Sequence, residues 1–140
     1  MSVNRARNAI MWLEWATGDL EAARAQPGRR VRPRIVAFNA QQAVEKALKA
    51  ALILAGIDPP RTHDLDDLRN RLPTDWRLRR QHPDLASLAD FAVDSRYPDD
   101  FAPVTPLQSA TAVRQAMAIV RHVGEEFERR GVSIAKIEPR

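Results

Sequence analysis

Histidines and arginines are the side chains of this 140-residue chain that are best suited to chemistry. His82 follows a run rich in arginine, and His63 lies between Arg61 and Asp64. An imidazole can accept a proton from a ribose hydroxyl near neutral pH, and a guanidinium can stabilise the charge that develops on a phosphate. Arg61 could therefore bind a phosphate while Asp64 orients the His63 ring. The alternative for His63 is a structural role, in which the ring ties one helix to another.

A second polar cluster lies where Arg96, Tyr97, Asp99 and Asp100 surround a proline. Tyr97 could stack on a base, and the arginine and the two carboxylates could hold the rest of a nucleotide. In the structural alternative, which the sequence favours, the aspartates end a turn, Tyr97 fills the end of a helical bundle and Arg96 pairs with a carboxylate.

A third group of polar side chains follows one strip of a strongly apolar helical segment. Its members are Asn39, Gln42, Glu45, Lys46 and Lys49. Glu45 and Lys49 have the i,i+4 spacing of an ion pair. Lys46 and Lys49 could bind a nucleotide or RNA at a dimer groove. Alternatively the strip is a polar network where helices meet, and we favour this interpretation because buried polar groups must be paired.

Composition excludes several classes of site and protein. The chain has no cysteine, which excludes disulfides and thiolate metal ligands. Its histidines lack metal-ligand spacing, so we expect neither a metal ion nor another cofactor. No apolar run approaches the roughly 20 residues of a membrane span, and the first residues lack the pattern of a signal peptide, so we expect a cytoplasmic protein. The net charge of +4, carried mostly by arginine, raises the odds of a nucleic-acid or nucleotide partner.

Helices must position these residues, because strand patterns are nearly absent and proline and glycine divide the chain into helical blocks. The periodicity predicts an all-α, up-and-down bundle of about five helices, three long and two short. We expect the bundle to span residues 1–130, followed by a tail at 131–140. The predicted helices cover residues 3–25, 33–55, 63–72, 83–94 and 106–130.

The apolar stripes of the long helices predict which faces are buried. The first helix has a stripe of alanine and leucine with Trp15 nearly opposite, either lying on the surface or forming a subunit contact. In the last helix, Ala110, Met117 and Phe127 belong to the stripe expected to face inward. A neighbouring stripe is expected to widen that face, and it consists of Ala112, Ala116, Ile119 and Val123. Thr62 is the expected N-cap of the third helix, and Gly56 the expected stop of the second.

Three segments together resemble the HEPN-domain family. Residues 38–50 read FNAQQAVEKALKA, similar to the family's central helix, and residues 62–65 read THDL. Residues 96–99 read RYPD, like a turn of the same family. The resemblance covers roughly residues 3–128 and implies a helical bundle that forms a homodimer.

The resemblance also implies two kinds of activity. Many HEPN proteins act beside a minimal nucleotidyltransferase, commonly as toxin–antitoxin pairs, and Tyr97 would be the sole phenolic acceptor of a nucleotidyl group. Others are metal-independent ribonucleases with an Arg-x(4–6)-His motif near the start of the last long helix. This chain has no such pair there, and the only matching spacing is Arg77 with His82. The expectations are thus a module that works with a transferase, a ribonuclease that uses Arg77 and His82, or a non-catalytic helical adaptor.

Overall fold

The chain folds into a bundle of helices. The computed structural model describes residues 3–24, 32–91 and 103–134. The described residues contain no strand, which confirms the predicted all-helical fold. They form three long helices and three short ones, one more than the approximate five that the periodicity predicts. These are α1 (Val3–Arg24), α2 (Pro33–Leu54), α3 (Leu65–Asn70), α4 (Leu78–Gln81), α5 (Ala86–Ala89) and α6 (Pro106–Arg129).

The ends of the long helices follow from local chemistry. Pro33 occupies the first turn of α2, where a missing N–H costs nothing. Gly56, just after α2, has a φ of +83°, a left-handed conformation that ends the helix as predicted. At the start of α6, the Thr105 side chain accepts from the Gln108 N–H while the Gln108 side chain accepts from the Thr105 N–H.

The core lies where α2 packs between α1 and α6. The predicted stripe of α1 is buried, and α2 is buried on more than one side, as its wide apolar arc predicts. The helices α1 and α2 run antiparallel, since Asp19 late in α1 meets Lys46 and Arg5 near its start meets Gly56. The many alanines of α2 allow both long neighbours to approach closely.

Two details of the predicted helices are wrong. The helix α3 begins after Asp64, whose carboxylate accepts from the Asp67 N–H at 3.1 Å, so Asp64 rather than Thr62 is its N-cap. In α6, Ala110 is exposed and Met117 is 37% exposed. The buried face is centred on the neighbouring stripe, because α6 turns that side toward α2. Its members are Ala112, Ala116, Ile119, Val123 and Phe127.

Of the single helix expected over residues 83–94, the described part contains only the single turn α5, and another single turn, α4, precedes the expected range. Pro83 separates them, because proline disfavours a helical conformation at the preceding residue, and His82 accordingly has a φ of −131° and a ψ of 75°. The segment is held down by large buried side chains, among them Trp76, whose ring lies 4.3 Å from the Arg130 guanidinium.

No helix in the described ranges is both long enough and apolar enough to cross a membrane.

Candidate functional site

Glu45 is the centre of a buried polar network on α2. Its carboxylate is almost fully enclosed and accepts from Lys49 Nζ at 3.2 Å and from Gln41 Nε2 at 3.3 Å. Its Oε1 also lies 2.7 Å from His63 Nδ1. A buried carboxylate is costly unless charged or polar donors surround it, and here three side chains do so. Glu45 and Lys49 of the polar strip are therefore paired, as in the interpretation favoured by the sequence, and Gln41 is an added member of the network.

His63 is held by Glu45, which belongs to α2. The short contact to Glu45 makes Nδ1 the donor nitrogen of the ring, while the ring itself is half exposed. The imidazole thus ties the loop before α3 to α2, as in the structural alternative. It also lies at the surface with a fixed orientation, which a proton-transferring histidine requires.

Two other predicted binding residues have structural partners. Lys46 Nζ lies 2.5 Å from the Asp19 carboxylate and links α2 to α1. Asp64 caps α3. Lys49 is the member of the strip that also reaches a cavity, with Nζ 6.0 Å from the centre of the Trp12 ring.

A groove of about 580 Å³ lies beside Lys49, between the start of α1 and the end of α2. Its lining combines cations, amides and an aromatic ring, contributed by Arg5, Lys49, Arg61, Asn4, Asn8 and Trp12 among others. The volume falls in the range of small-molecule sites. Sequence reasoning missed the contributions from α1, because Arg5 and Trp12 are about 40 residues from Lys49 in the chain and only antiparallel packing unites them.

A second cluster joins α4 to α6 through two histidines. His82 Nε2 lies 2.8 Å from His122 Nδ1, with ring centres 5.0 Å apart. The ring of His122, on α6, thus packs against that of His82. Burial, together with the charges of His122 and Arg69, lowers the pKa of His82 to about 4. His82 is therefore neutral near pH 7.

The arginine beside His82 is Arg69, not the predicted Arg77. Arg69 is buried, and its Nη1 donates to the His82 carbonyl oxygen at 2.7 Å and pairs with Asp66 at 2.6 Å. Arg77 is exposed, and its side chain makes no hydrogen bond or ion pair with any residue that the structure describes. The two members of the Arg-x4-His spacing are therefore not joined.

The histidine pair has limited capacity for acid–base chemistry by itself. A base whose pKa is about 4 takes up a proton weakly at neutral pH. A phosphate bound nearby would raise that pKa, because an anion stabilises imidazolium. The pair is thus a candidate proton-transfer site only with an anionic ligand in place.

The cluster formed by Arg96, Tyr97, Asp99 and Asp100 lies outside the described residues. Within the described ranges, no group of three or more histidine, aspartate or glutamate side chains has the arrangement of a metal site.

Comparisons with known proteins agree with the geometry of the bundle. The family profile described as "HEPN domain" matches residues 9–129. The crystal structure of TT1696 from Thermus thermophilus is similar, with a TM-score of 0.70 and 30% sequence identity. That similarity covers 89% of this chain and 99% of TT1696. A search of curated proteins gave no match.

Proposed function

Since this chain belongs to the HEPN domain family, we propose that it is a dimeric, phosphate-binding module that acts beside a nucleotidyltransferase partner. The setting would be a toxin–antitoxin or other nucleotide-linked system. The observation that supports this proposal best is the groove of about 580 Å³, in which Lys49 and Arg61 accompany the Trp12 ring. Cations suit the phosphates of a nucleotide or RNA, and an indole suits a base.

Binding at the groove can be measured from tryptophan fluorescence during titration with a nucleoside triphosphate or a short RNA. Arg61 is exposed, so Arg61→Ala should keep the fold and weaken binding about tenfold through loss of a charge-assisted contact. Arg71→Ala is the matched control, because Arg71 is also exposed but pairs with Asp67 outside the groove. Equal affinity for wild type and Arg61→Ala would contradict binding there.

The partnership with a transferase needs a separate test. The protein should co-purify with a minimal nucleotidyltransferase expressed from a neighbouring gene, and intact-mass measurement should show one added nucleotidyl group if Tyr97 is the acceptor. Tyr97→Phe should keep the complex and lose the added mass. A protein that dimerises but binds neither transferase, nucleotide nor RNA would instead be a structural adaptor.

A metal-independent ribonuclease is the second candidate, supported by the contact of 2.8 Å between His82 and His122. In this mechanism one imidazole accepts the proton of the ribose 2′-hydroxyl, and the other donates a proton to the leaving oxygen. Both histidines are therefore required. Arg69 orients His82 through its carbonyl oxygen. The Arg77–His82 spacing would then be incidental.

Cleavage of cellular RNA by the purified protein, with chelator present, tests this candidate. We expect wild type and Arg77→Ala to cut and His82→Ala and His122→Ala to lose activity by at least about a hundredfold. If Arg77→Ala and His82→Ala lose cleavage activity while His122→Ala stays active, the catalytic pair would be Arg77 and His82, as the sequence spacing suggested. If none of the proteins cuts, the candidate is wrong and the transferase-linked role remains.

A further inference from the structure

The short helix α4 and the residue before it carry a group of three arginines. Arg79 and Arg80 belong to the helix and Arg77 immediately precedes it. None of the three pairs with a carboxylate among the described residues. Three positive charges within four positions repel one another, so they raise the local potential and attract an anion.

Three acidic side chains near α4 are paired with other arginines. Asp66 pairs with Arg69 at 2.6 Å, and Asp75 pairs with Arg130 at 3.0 Å. Asp67 in turn pairs with Arg71 at 3.0 Å. Among the described residues, these three carboxylates therefore do not neutralise the arginines of α4.

A hollow of about 420 Å³ lies where this charge is concentrated, between α3 and α4. Arg79 and Arg80 line it, together with Asn70 and Thr74. The side-chain oxygen of Asn70 already accepts from the Arg69 guanidinium at 3.0 Å, which leaves the side-chain nitrogen of Asn70 to donate. The Thr74 hydroxyl makes no hydrogen bond with a described residue. The side chains of the hollow thus present donors and positive charge.

We propose that this hollow is a phosphate-binding site, in which Arg79 and Arg80 grip a phosphoryl group while Asn70 and Thr74 donate to its oxygens. Arginine forks match phosphate geometry and bind it through two hydrogen bonds each. The ligand is a compound with an accessible phosphate, either a terminal phosphate of a nucleotide or a phosphodiester of RNA. The site is separate from the groove beside Lys49 and requires neither cleavage nor a partner protein.

The hollow adjoins the pair formed by His82 and His122, so a ligand bound in the hollow would affect that pair. Arg69 lines the hollow and donates to the His82 carbonyl oxygen, and Pro83 lies in the same wall. A phosphate bound here would bring negative charge near His82, which would raise the pKa of a ring that burial and neighbouring charges now keep low.

Titration of the intact protein with pyrophosphate, followed by calorimetry and by amide chemical shifts, tests the site. We expect binding by wild type, with shifts concentrated in residues 69–83. Arg79→Ala/Arg80→Ala should weaken binding about tenfold or more. The double variant Arg114→Ala/Arg121→Ala removes the same charge from exposed positions of α6 and should bind as wild type does.

A short RNA without terminal phosphates distinguishes the two sources of the ligand. If a phosphodiester occupies the hollow, Arg79→Ala/Arg80→Ala should flatten the salt dependence of RNA binding by about 0.7 per lost contact. If only pyrophosphate binds there, the ligand is a terminal phosphate. Wild-type affinity in Arg79→Ala/Arg80→Ala, an equal loss in the α6 double variant, or shifts outside residues 69–83 would overturn the proposal.

Discussion

At the scale of single residues, Glu45 shows how one side chain can serve both folding and function. Its carboxylate is buried on α2, yet two of its three donors, Lys49 and His63, reach the protein surface. Removal of the Glu45 carboxylate would leave Gln41 and Lys49 without the acceptor that they share inside the bundle. The network is thus a structural device that also orients surface groups beside the groove.

Glu45→Ala should lower the free energy of unfolding by about 2–4 kcal/mol, because it leaves buried donors unpaired. Urea unfolding at pH 7 measures the change. Glu125→Ala is the control, since Glu125 is exposed and its pair with Arg121 has a separation of 3.7 Å. That variant should change stability by less than about 0.5 kcal/mol. Equal effects of the two variants would show that the Glu45 network contributes no more than a surface pair.

The histidine pair predicts a pH dependence of stability. The pKa of His82 is about 4 in the folded protein, against an ordinary value of 6.5. Between these values the unfolded chain binds a proton that the folded chain does not, so stability falls as the pH falls from about 6.5 to about 4. Partial exposure of the ring reduces this effect to roughly 1–2 kcal/mol.

Urea unfolding of wild type and His82→Gln at pH 7 and pH 4.5 isolates this contribution from that of the carboxylates. The wild-type protein should lose more stability on acidification than His82→Gln, which has no ring to protonate. Identical losses would mean that His82 titrates normally in the folded protein.

The sequence predicted side-chain contacts within one helix but not those between distant segments. The i,i+4 spacing of Glu45 and Lys49 lies within one helix, so the sequence predicts the pair directly. His82 and His122 are 40 positions apart, and no local pattern marks their contact. Arg69 likewise replaced Arg77 beside His82, because an arginine on α3 can reach the end of α4 only through the tertiary fold.

At the scale of elements, periodicity predicted the long helices well and the short ones poorly. A helix of more than 20 residues repeats its apolar stripe several times, whereas α4 and α5 have four residues each and no repeat. In α6 two apolar stripes lie side by side, and the position of α2 decides which one is buried. The predicted stop at Gly56 was more informative, because the effect of a glycine on its own backbone is local.

Substitution by alanine should change the stability of the protein in opposite directions at two glycines. Gly56→Ala places a β-carbon at a φ of +83° and 3.2 Å from the Arg5 guanidinium, so it should destabilise the protein by about 1–2 kcal/mol. Gly18 lies inside α1 with no atom within 4 Å of an added β-carbon. Gly18→Ala should therefore stabilise by up to about 1 kcal/mol. Thermal unfolding of both variants checks the signs, and destabilisation by Gly18→Ala would contradict the open space seen there.

At the scale of the whole molecule, the candidate sites occupy different parts of the bundle. The groove lies at the start of α1 and the end of α2, whereas the hollow lies between α3 and α4. Family resemblance predicted the bundle, since its motifs mark the central helix, but these sites depend on the antiparallel packing of α1 and on the turn around Pro83. A single long RNA could contact both, or each could bind its own phosphate, and the variants Arg61→Ala and Arg79→Ala/Arg80→Ala separate these cases.

The homodimer is the remaining prediction at this scale, and α1 offers a surface for it. Trp15 is 48% exposed and Met11 is 40% exposed, and their four-residue spacing places them on one face of the helix. Tryptophan and methionine are enriched in protein interfaces, and buried tryptophans often dominate the binding energy. We therefore expect Trp15 to be covered by a second copy of the chain.

Trp15→Ala should weaken dimerisation by about thirtyfold or more, the loss expected for a residue that dominates an interface. Sedimentation equilibrium across a range of protein concentrations measures the change, with circular dichroism to confirm that the exposed side chain is dispensable for folding. Leu107→Ala is the control, because Leu107 is a 71% exposed apolar residue at the start of α6. A dimer that survives Trp15→Ala but dissociates in Leu107→Ala would place the interface on α6 instead, and a wild-type monomer at all concentrations would contradict the dimer itself.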